Sequence, residues 1–223
     1  PGEADRVALN HGQRPGTHWL PAECDVSIRP GWFYHAAEDD KVRSPENLLD
    51  LYFQSVGRGA SFLVNLPPDR RGRIHETDVQ SLAEFGGRVR KLYTHDLARK
   101  ARIQSGPSQG SIATFGPELL IDGSPDTYWA TDNTVRQPEV ILDFPSDLSF
   151  NGISLREYLP LGQRVDRFAL DVDQHGEWRE VARGESIGNR RLIRLDTCRT
   201  KRIRLRILEA AAGVALSELA VFA

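Results

Sequence analysis

The sequence has no methionine, no pair of cysteines at metal-binding spacing and no apolar run of 18 residues. A helix needs about 20 mostly apolar residues to cross a bilayer, so we expect no membrane-spanning helix. The chain begins with Pro1. Because translation starts at methionine, we expect the N-terminal part to be missing or processed. No signal peptide is present to indicate a compartment.

The sequence also lacks an excess of either charge, since 29 basic and 31 acidic residues give a net charge of −2. This balance provides no general attraction to nucleic acid or to a membrane surface, and we expect neither as a partner. The two cysteines, Cys24 and Cys198, lie in regions that we assign below to different domains. Neither has a CxxC or histidine partner, so we predict two free thiols.

What the chain does contain is a segment unusually rich in rings and charges, THWLPAECDVSIRPGWFYH at 17–35. Ring faces pack against the C–H face of a pyranose, and charged groups bind its hydroxyls, so this composition suits a sugar pocket. Alternatively, Trp32 and Phe33 fill a core and the acids pair with Arg29. The candidate residues of the segment are His18, Trp19, Glu23, Asp25, Arg29, Trp32, Phe33, Tyr34 and His35.

The next sixty residues predict helix, strand and helix. Ser44-Pro45-Glu46 is a helix start, with Ser as N-cap and Pro at the first helical position. Residues 61–66 (SFLVNL) predict a buried parallel strand, and a second helix follows from 75 or 77 to 92. These elements indicate the last units of an α/β barrel. Asn65, at the end of the predicted strand, is expected to fix the following PPDRRG loop.

A polar linker at 95–112 separates this region from one dominated by strands. The strands alternate apolar and polar residues and are bounded by Gly, Asn or Asp, which predicts an antiparallel β-sandwich with Trp129 and Trp178 in its core. We therefore predict two domains, 1–98 and 105–223. The predicted strands are 140–144, 152–159, 167–172, 179–184, 192–196, 201–208 and 216–222.

The run ECDVSIRPGWFYH, together with EDDKVRSPENLLDLYFQSVGRGASFLVNLPPDRRGRIHE, resembles the C-terminal part of the barrel of glycoside hydrolase family 29 α-L-fucosidases, in the 1,3/1,4-fucosidase-like branch. The resemblance covers roughly the first ninety residues. LLIDGSPDTYWAT and the later strands resemble a discoidin-type domain (coagulation factor 5/8 type C), an antiparallel jelly roll. The implied fold is therefore α/β plus all-β: the last units of a (β/α)8-type barrel followed by a discoidin-like sandwich.

The resemblance implies a bacterial, secreted or periplasmic glycosidase that removes terminal α-1,3- or α-1,4-linked L-fucose with retention. It implies neither redox cofactor nor catalytic metal. The family's nucleophile lies in a Trp-Phe-Asp-Gly type motif and the branch's acid in a Gly-Asn-Glu type motif. Neither occurs here. We therefore expect the chain to be inactive alone, with the missing N-terminal part of the enzyme and a fucosylated oligosaccharide or glycoconjugate as its partners.

Within this chain, Glu23 is the candidate for direct proton transfer. The alternatives are contacts of one or both acids with sugar hydroxyls or with residues that bind the sugar, and an ordinary ion pair with Arg29. Asp25, Arg29, Trp32, His35 and Trp19 are the candidate substrate-binding residues. In the sandwich, Asp122, Thr127 and Glu218 resemble a structural calcium site, whereas a plain turn cap and strand residue is the alternative. The alternative function for the whole chain is a non-catalytic carbohydrate-binding or structural protein.

Overall fold

The structure, a computed structural model, describes residues 21–223. Within them the chain forms two compact units, an α/β unit that ends at Thr94 and a sandwich that begins at His95. The division lies slightly before the predicted boundary at residue 98, because Leu97 and Ala98 pack with the core of the sandwich. No helix in this range is long and apolar enough to cross a membrane.

The α/β unit consists of strand β1 (Glu23–Ser27), helix α1 (Pro45–Gln54), strand β2 (Ser61–Asn65) and helix α2 (Glu76–Leu92). The two strands pair in parallel with residue 23 opposite 61 and residue 27 opposite 65. Helix α1 begins where the sequence predicts, and the Ser44 side chain accepts a hydrogen bond from the backbone N–H of Asn47. This strand–helix arrangement is the repeating unit of an α/β barrel.

Strand β2 was expected to be buried, but it alternates. Phe62 lies on the face toward the helices, where its ring meets that of Phe85 at 6.2 Å between centroids. Leu63 lies on the opposite face and is half exposed. The cause is that the helices cover one face of the two-stranded sheet and no described element of the unit covers the other. In a closed barrel that second face is the interior.

The sandwich is one antiparallel sheet of seven strands. Its elements are β3 (Arg102–Ser105), a short helix α3 (Ile112–Phe115), β4 (Trp129–Ala130), β5 (Glu139–Glu157), β6 (Val165–Gln174), β7 (Glu177–Glu185), β8 (Arg191–Ala210) and β9 (Ala215–Phe222). The neighbours in the sheet are, in order, β4, β9, β5, β8, β6 and β7, and β3 also pairs with β5.

Strands β5 and β8 each combine two predicted strands. Their pairing contains register shifts between residues 143 and 148 and between 150 and 152. Bulges of this kind bend a strand without ending it, so turn-like sequence inside a strand was interpreted as a boundary. The inward residues of the bent sheet form one apolar core that contains Trp129, as predicted.

Trp178 was wrongly predicted to lie in this core. It is only partly buried, and the guanidinium groups of Arg204 and Arg202 lie 4.5 and 5.0 Å from its ring centroid. An indole stacked with two arginines lies on the polar face of the sheet, not inside it. Cys24 and Cys198 are both free thiols, as predicted.

Candidate active site

The candidate site lies where β1 and β2 end. Successive strand residues point to opposite faces, so Glu23, Asp25 and Ser27 share the uncovered face with Leu63 and Asn65. In α/β barrels, active sites form at the carboxyl ends of the strands. Here that end carries Ser27 and Asn65, whose side chains meet through a hydrogen bond of 3.1 Å from the Asn65 amide to the Ser27 hydroxyl.

The two acidic candidates are exposed and lie side by side on this face, but not at its carboxyl end. Glu23 is the first residue of β1, four positions before Ser27, which corresponds to about 13 Å at the usual rise of a strand. Asp25 lies halfway between. The shared face that the sequence predicted for these acids is therefore present. The geometry brings Asp25 closer than Glu23 to the end where a barrel binds its substrate.

Arg29 was predicted to bind substrate, but its side chain is buried and its donors are used within the protein. Its Nε and Nη2 donate to the two carboxylate oxygens of Asp78 at 2.9 and 2.8 Å. Its Nη1 pairs with Asp39 at 2.9 Å. The acids that were thought to pair with Arg29, Glu23 and Asp25, are not its partners.

This arginine instead anchors the loop that follows β1. The guanidinium lies 4.6 Å from the ring centroid of Tyr34, and Nη1 also donates to the carbonyl of His35 at 3.4 Å. Asp78, in the first turn of α2, supplies the fixed end. Paired, hydrogen-bonded charges of this kind hold a chain segment in one geometry, and removing one partner is costly.

The loop so anchored exposes two large rings. Trp32 is 53% exposed and Phe33 is 76% exposed. The alternative in which Trp32 and Phe33 fill a core of this chain is therefore wrong. Asn65 contributes by donating to the carbonyl of Trp32 at 3.0 Å, rather than fixing the loop after β2 as we had expected.

The remaining candidates of the aromatic segment are less informative. The His35 side chain is exposed at the start of a single 3₁₀ turn. Trp19 and His18 lie outside the residues that the structure describes. The partners that sequence reasoning missed are Asp78 and Asp39. An acid in the first turn of a helix is ordinarily explained by the helix dipole, so no local signal identified Asp78 as an ion-pair partner.

The proposed calcium residues come together only in part. Asp122 accepts the Thr127 hydroxyl at 2.6 Å and the backbone N–H of Ser124 at 2.8 Å. Glu218 instead accepts the hydroxyl of Ser154 at 2.6 Å. Residues 21–223 contain no group of three or more acidic, histidine or cysteine side chains that could hold an ion together. A calcium site at the Asp122 turn stays a prediction.

Three partly buried aromatic side chains of the sandwich lie next to one another. The rings of Tyr128 and Tyr158 stack with centroids 4.0 Å apart and planes 11° from parallel, and Phe115 lies 5.2 Å from Tyr128. Exposed Ile112 and Leu159 flank the three rings along the chain. We call Phe115, Tyr128 and Tyr158 the aromatic row.

Comparisons with known proteins agree with this geometry. The family model for α-L-fucosidase matches residues 5–91, and the model for the F5/8 type C domain matches residues 104–219. "Alpha-L-fucosidase 1" of Arabidopsis thaliana is 36% identical over 225 aligned positions, which cover 99% of this chain and 44% of the relative. A rice "Putative alpha-L-fucosidase 1" is 34% identical, over 93% of this chain and 40% of its own.

Solved structures show the same likeness. A putative α-L-fucosidase from Bacteroides thetaiotaomicron has a TM-score of 0.91 at 33% identity and covers 96% of this chain and 47% of its own. A Ruminococcus gnavus GH29 fucosidase in complex with fucose has a TM-score of 0.88 at 27% identity, over 95% and 43%. These relatives come from plants as well as bacteria, so they do not assign the chain to bacteria.

The chain spans less than half the length of each of these relatives. The matches confirm the predicted fold, the last units of a (β/α)8-type barrel followed by a discoidin-like sandwich. The sandwich therefore belongs to the F5/8 type C family, and the chain as a whole matches part of the α-L-fucosidases of glycoside hydrolase family 29.

Proposed function

We propose that this chain forms part of a retaining α-L-fucosidase that removes terminal α-1,3- or α-1,4-linked L-fucose from glycans. The α/β unit contributes one wall of the fucose pocket. The chain also contributes the sandwich domain. Within this proposal the nucleophile belongs to a part of the enzyme outside this chain, which spans less than half the length of its relatives. A secreted or periplasmic location follows only from the family and is part of the same proposal.

The observation that carries the proposal is the pair of exposed rings, Trp32 and Phe33, on an anchored loop at the carboxyl end of β1. Exposing two large rings costs free energy, because burying such a side chain is worth about 2 to 3 kcal/mol. An ion-paired loop that leaves these rings uncovered within this chain keeps them free for a ligand, which supports the proposal. Deoxyhexoses offer an apolar face and methyl group that suit such rings.

The chemistry requires two carboxyl groups, of which the nucleophile lies outside this chain. In a retaining glycosidase one carboxylate attacks the anomeric carbon and displaces the leaving sugar, whose oxygen takes a proton from a carboxylic acid. The same acid, now a carboxylate, then removes a proton from the water that releases fucose. Within this proposal Glu23 keeps the role of candidate acid, and Asp25 that of a residue binding sugar hydroxyls. Asp25 lies nearer the carboxyl end of the sheet.

The proposal is tested by Trp32→Ala in an enzyme that includes the remaining barrel. We expect kcat/KM on an aryl α-L-fucoside to fall by about tenfold or more, the equivalent of one lost apolar contact of about 1.4 kcal/mol, while the melting temperature stays nearly constant. Trp32→Phe, which keeps a ring, should retain most of the activity, and Ile112→Ala in the sandwich is the matched control. An unchanged kcat/KM in Trp32→Ala would remove the basis of the proposal.

A second candidate function, glycan binding by the sandwich, has one observation in its favour, the aromatic row. Stacked, partly exposed tyrosines combine ring faces with hydroxyl groups, as sugar-binding surfaces do. If this candidate holds, the chain should bind fucosylated or galactose-ending glycans on an array, and Tyr158→Ala should abolish the binding. A blank array with wild-type protein would exclude it.

A further inference from the structure

The side-chain amide of Asn65 uses its donors on the loop after β1. Nδ2 donates to the carbonyl of Trp32 at 3.0 Å and to the hydroxyl of Ser27 at 3.1 Å. A carbonyl can only accept, so the amide must present its NH₂ group to Trp32. The Ser27 hydroxyl in turn donates to the carbonyl of Gly31 at 2.7 Å. Asn65 is thus the first donor of a short chain that ends at the residue before Trp32.

The loop is therefore held on two sides. Arg29 binds the side that follows the exposed rings, through Tyr34, His35 and Asp39. Asn65 and Ser27 bind the side that precedes them. Trp32 lies between the two anchors, and the backbone of Trp32 itself is bound by Asn65. Loss of the Arg29 anchor would leave Asp78 buried without its partner, whereas Asn65 lies at the strand end and its loss leaves no buried charge.

We propose that Asn65 is a positioning residue that sets the orientation of the Trp32 ring toward fucose, acting through the backbone carbonyl of Trp32. The effect on catalysis rests on the proposed function, whereas the effect on the orientation of Trp32 does not. In this role Asn65 acts on the Trp32 backbone through its NH₂ group and does not itself contact the ligand.

The structural part is tested in the full chain labelled with 5-fluorotryptophan. The ¹⁹F resonance of Trp32 is assigned by its disappearance in Trp32→Phe. Asn65→Asp keeps the size and one oxygen acceptor but loses both donated hydrogen bonds, and it places an oxygen against the Trp32 carbonyl. We expect the Trp32 resonance to shift and broaden in Asn65→Asp and equally in Asn65→Ala. Gln54→Glu, the same amide-to-acid change at an exposed end of α1, should leave it unchanged.

An unchanged Trp32 resonance in both Asn65 variants, with the other tryptophan signals native, would overturn the inference. The inference would also be overturned if Gln54→Glu perturbed the Trp32 resonance as strongly, because the added negative charge would then explain the effect. A loss of all native signals would point to unfolding. In that case Ser27→Ala, which removes only the hydrogen bond to Gly31 and the acceptor for Asn65, gives the deciding spectrum: a perturbed Trp32 supports the inference and an unperturbed one refutes it.

The catalytic consequence is measured in an enzyme that includes the remaining barrel. Loss of the two hydrogen bonds should raise KM for an aryl fucoside by about tenfold with little change in kcat, because the displaced ring loses its contact with the bound sugar. If Asn65→Asp disturbs Trp32 but Trp32→Ala leaves turnover intact, the proposed function fails and the positioning role stands. If Trp32→Ala lowers turnover and Asn65→Asp does not change KM, the positioning role fails and the proposed function stands.

Discussion

Asp171 offers the sharpest test of how the sandwich is stabilised. It lies on β6, only 2% exposed, between two arginines of the neighbouring strand. Oδ2 accepts from Nε of Arg204 at 2.8 Å and from Nε of Arg206 at 2.7 Å, and Oδ1 accepts from Nη2 of Arg206 at 2.9 Å. Arg204 also covers the ring of Trp178. Removing this one charge should therefore loosen two arginines and an indole.

The size of the effect follows from burial. Breaking a fully buried ion pair costs about 3 to 5 kcal/mol, but the two arginines are partly exposed, so water can replace some of the loss. We expect Asp171→Asn to lower the free energy of unfolding of the sandwich by about 2 to 3 kcal/mol. For a domain of this size that corresponds to about 10 °C in Tm. Glu139→Gln is the control, since Glu139 pairs with the same Arg204 but is half exposed, and should cost less than about 1 kcal/mol.

The direction in which this stabilisation changes with pH follows from the pKa of Asp171. Burial by itself would raise the pKa of the Asp171 carboxyl, but the hydrogen bonds from Arg206 and Arg204 outweigh it and hold the pKa below its ordinary value. The folded pKa is depressed, so the stabilisation is present above the unfolded pKa of about 3.9 and is lost as pH falls through the folded pKa. The difference between wild type and Asp171→Asn should therefore shrink below about pH 4.

The assay is scanning calorimetry at neutral pH and at steps down to about pH 3, because the two units can unfold in separate transitions. The higher sensitivity of one transition to Asp171→Asn identifies the sandwich. Equal effects of Asp171→Asn and Glu139→Gln at neutral pH would refute the assigned role of burial. A difference that persists undiminished at pH 3 would refute the electrostatic explanation.

Four further predictions concern other sites. A Cβ at Gly184 would lie 2.5 Å from a ring carbon of Phe168, so Gly184→Ala should destabilise the sandwich by about 1 to 3 kcal/mol in urea unfolding. Gly87 in α2 has open space around it, so Gly87→Ala should stabilise the α/β unit by about 0.5 to 1 kcal/mol in the same assay. If the proposed calcium site exists, millimolar calcium should raise the Tm of the sandwich and Asp122→Ala should abolish the rise; no shift in wild type would exclude the site. The chain by itself should not hydrolyse a nitrophenyl α-L-fucoside, because its α/β unit has only two described strands and the nucleophile motif is absent; clear turnover by pure chain would promote Glu23 or Asp25 to catalytic residues.

The sequence predicted those parts of the fold whose causes are local. The start of α1 depends on Ser44 and Pro45, and its hydrogen bond to Asn47 is three residues away. Alternation within 201–208 likewise indicates a strand with one buried face from neighbouring residues alone, and Ile203, Leu205 and Ile207 are its buried positions. The prediction failed where a strand bends, since residues 144–151 look like a turn although β5 continues through them. A bulge depends on the partner strand, which no local pattern shows.

Composition also predicted which segment of the α/β unit is special, but not what its members do. The segment 17–35 contains one arginine and several rings, and the simplest expectation places rings inside and charge outside. The structure reverses this assignment. Arg29 is buried because Asp78, 49 positions away, arrives with a matching carboxylate. Trp32 is exposed because the loop is already held at its polar groups and needs no ring to anchor it.

The reversal itself has a physical cause that makes it informative. Burying a guanidinium is unfavourable unless its hydrogen bonds and charge are matched, and burying an indole is favourable almost anywhere. A chain that does the first and avoids the second in the same loop therefore forgoes stability in both choices. The proposed function accounts for both choices, because a surface that presents a ring to a sugar needs the loop fixed and the ring free. Under that proposal, disordering the loop by Asp78→Asn should lower fucoside affinity along with stability.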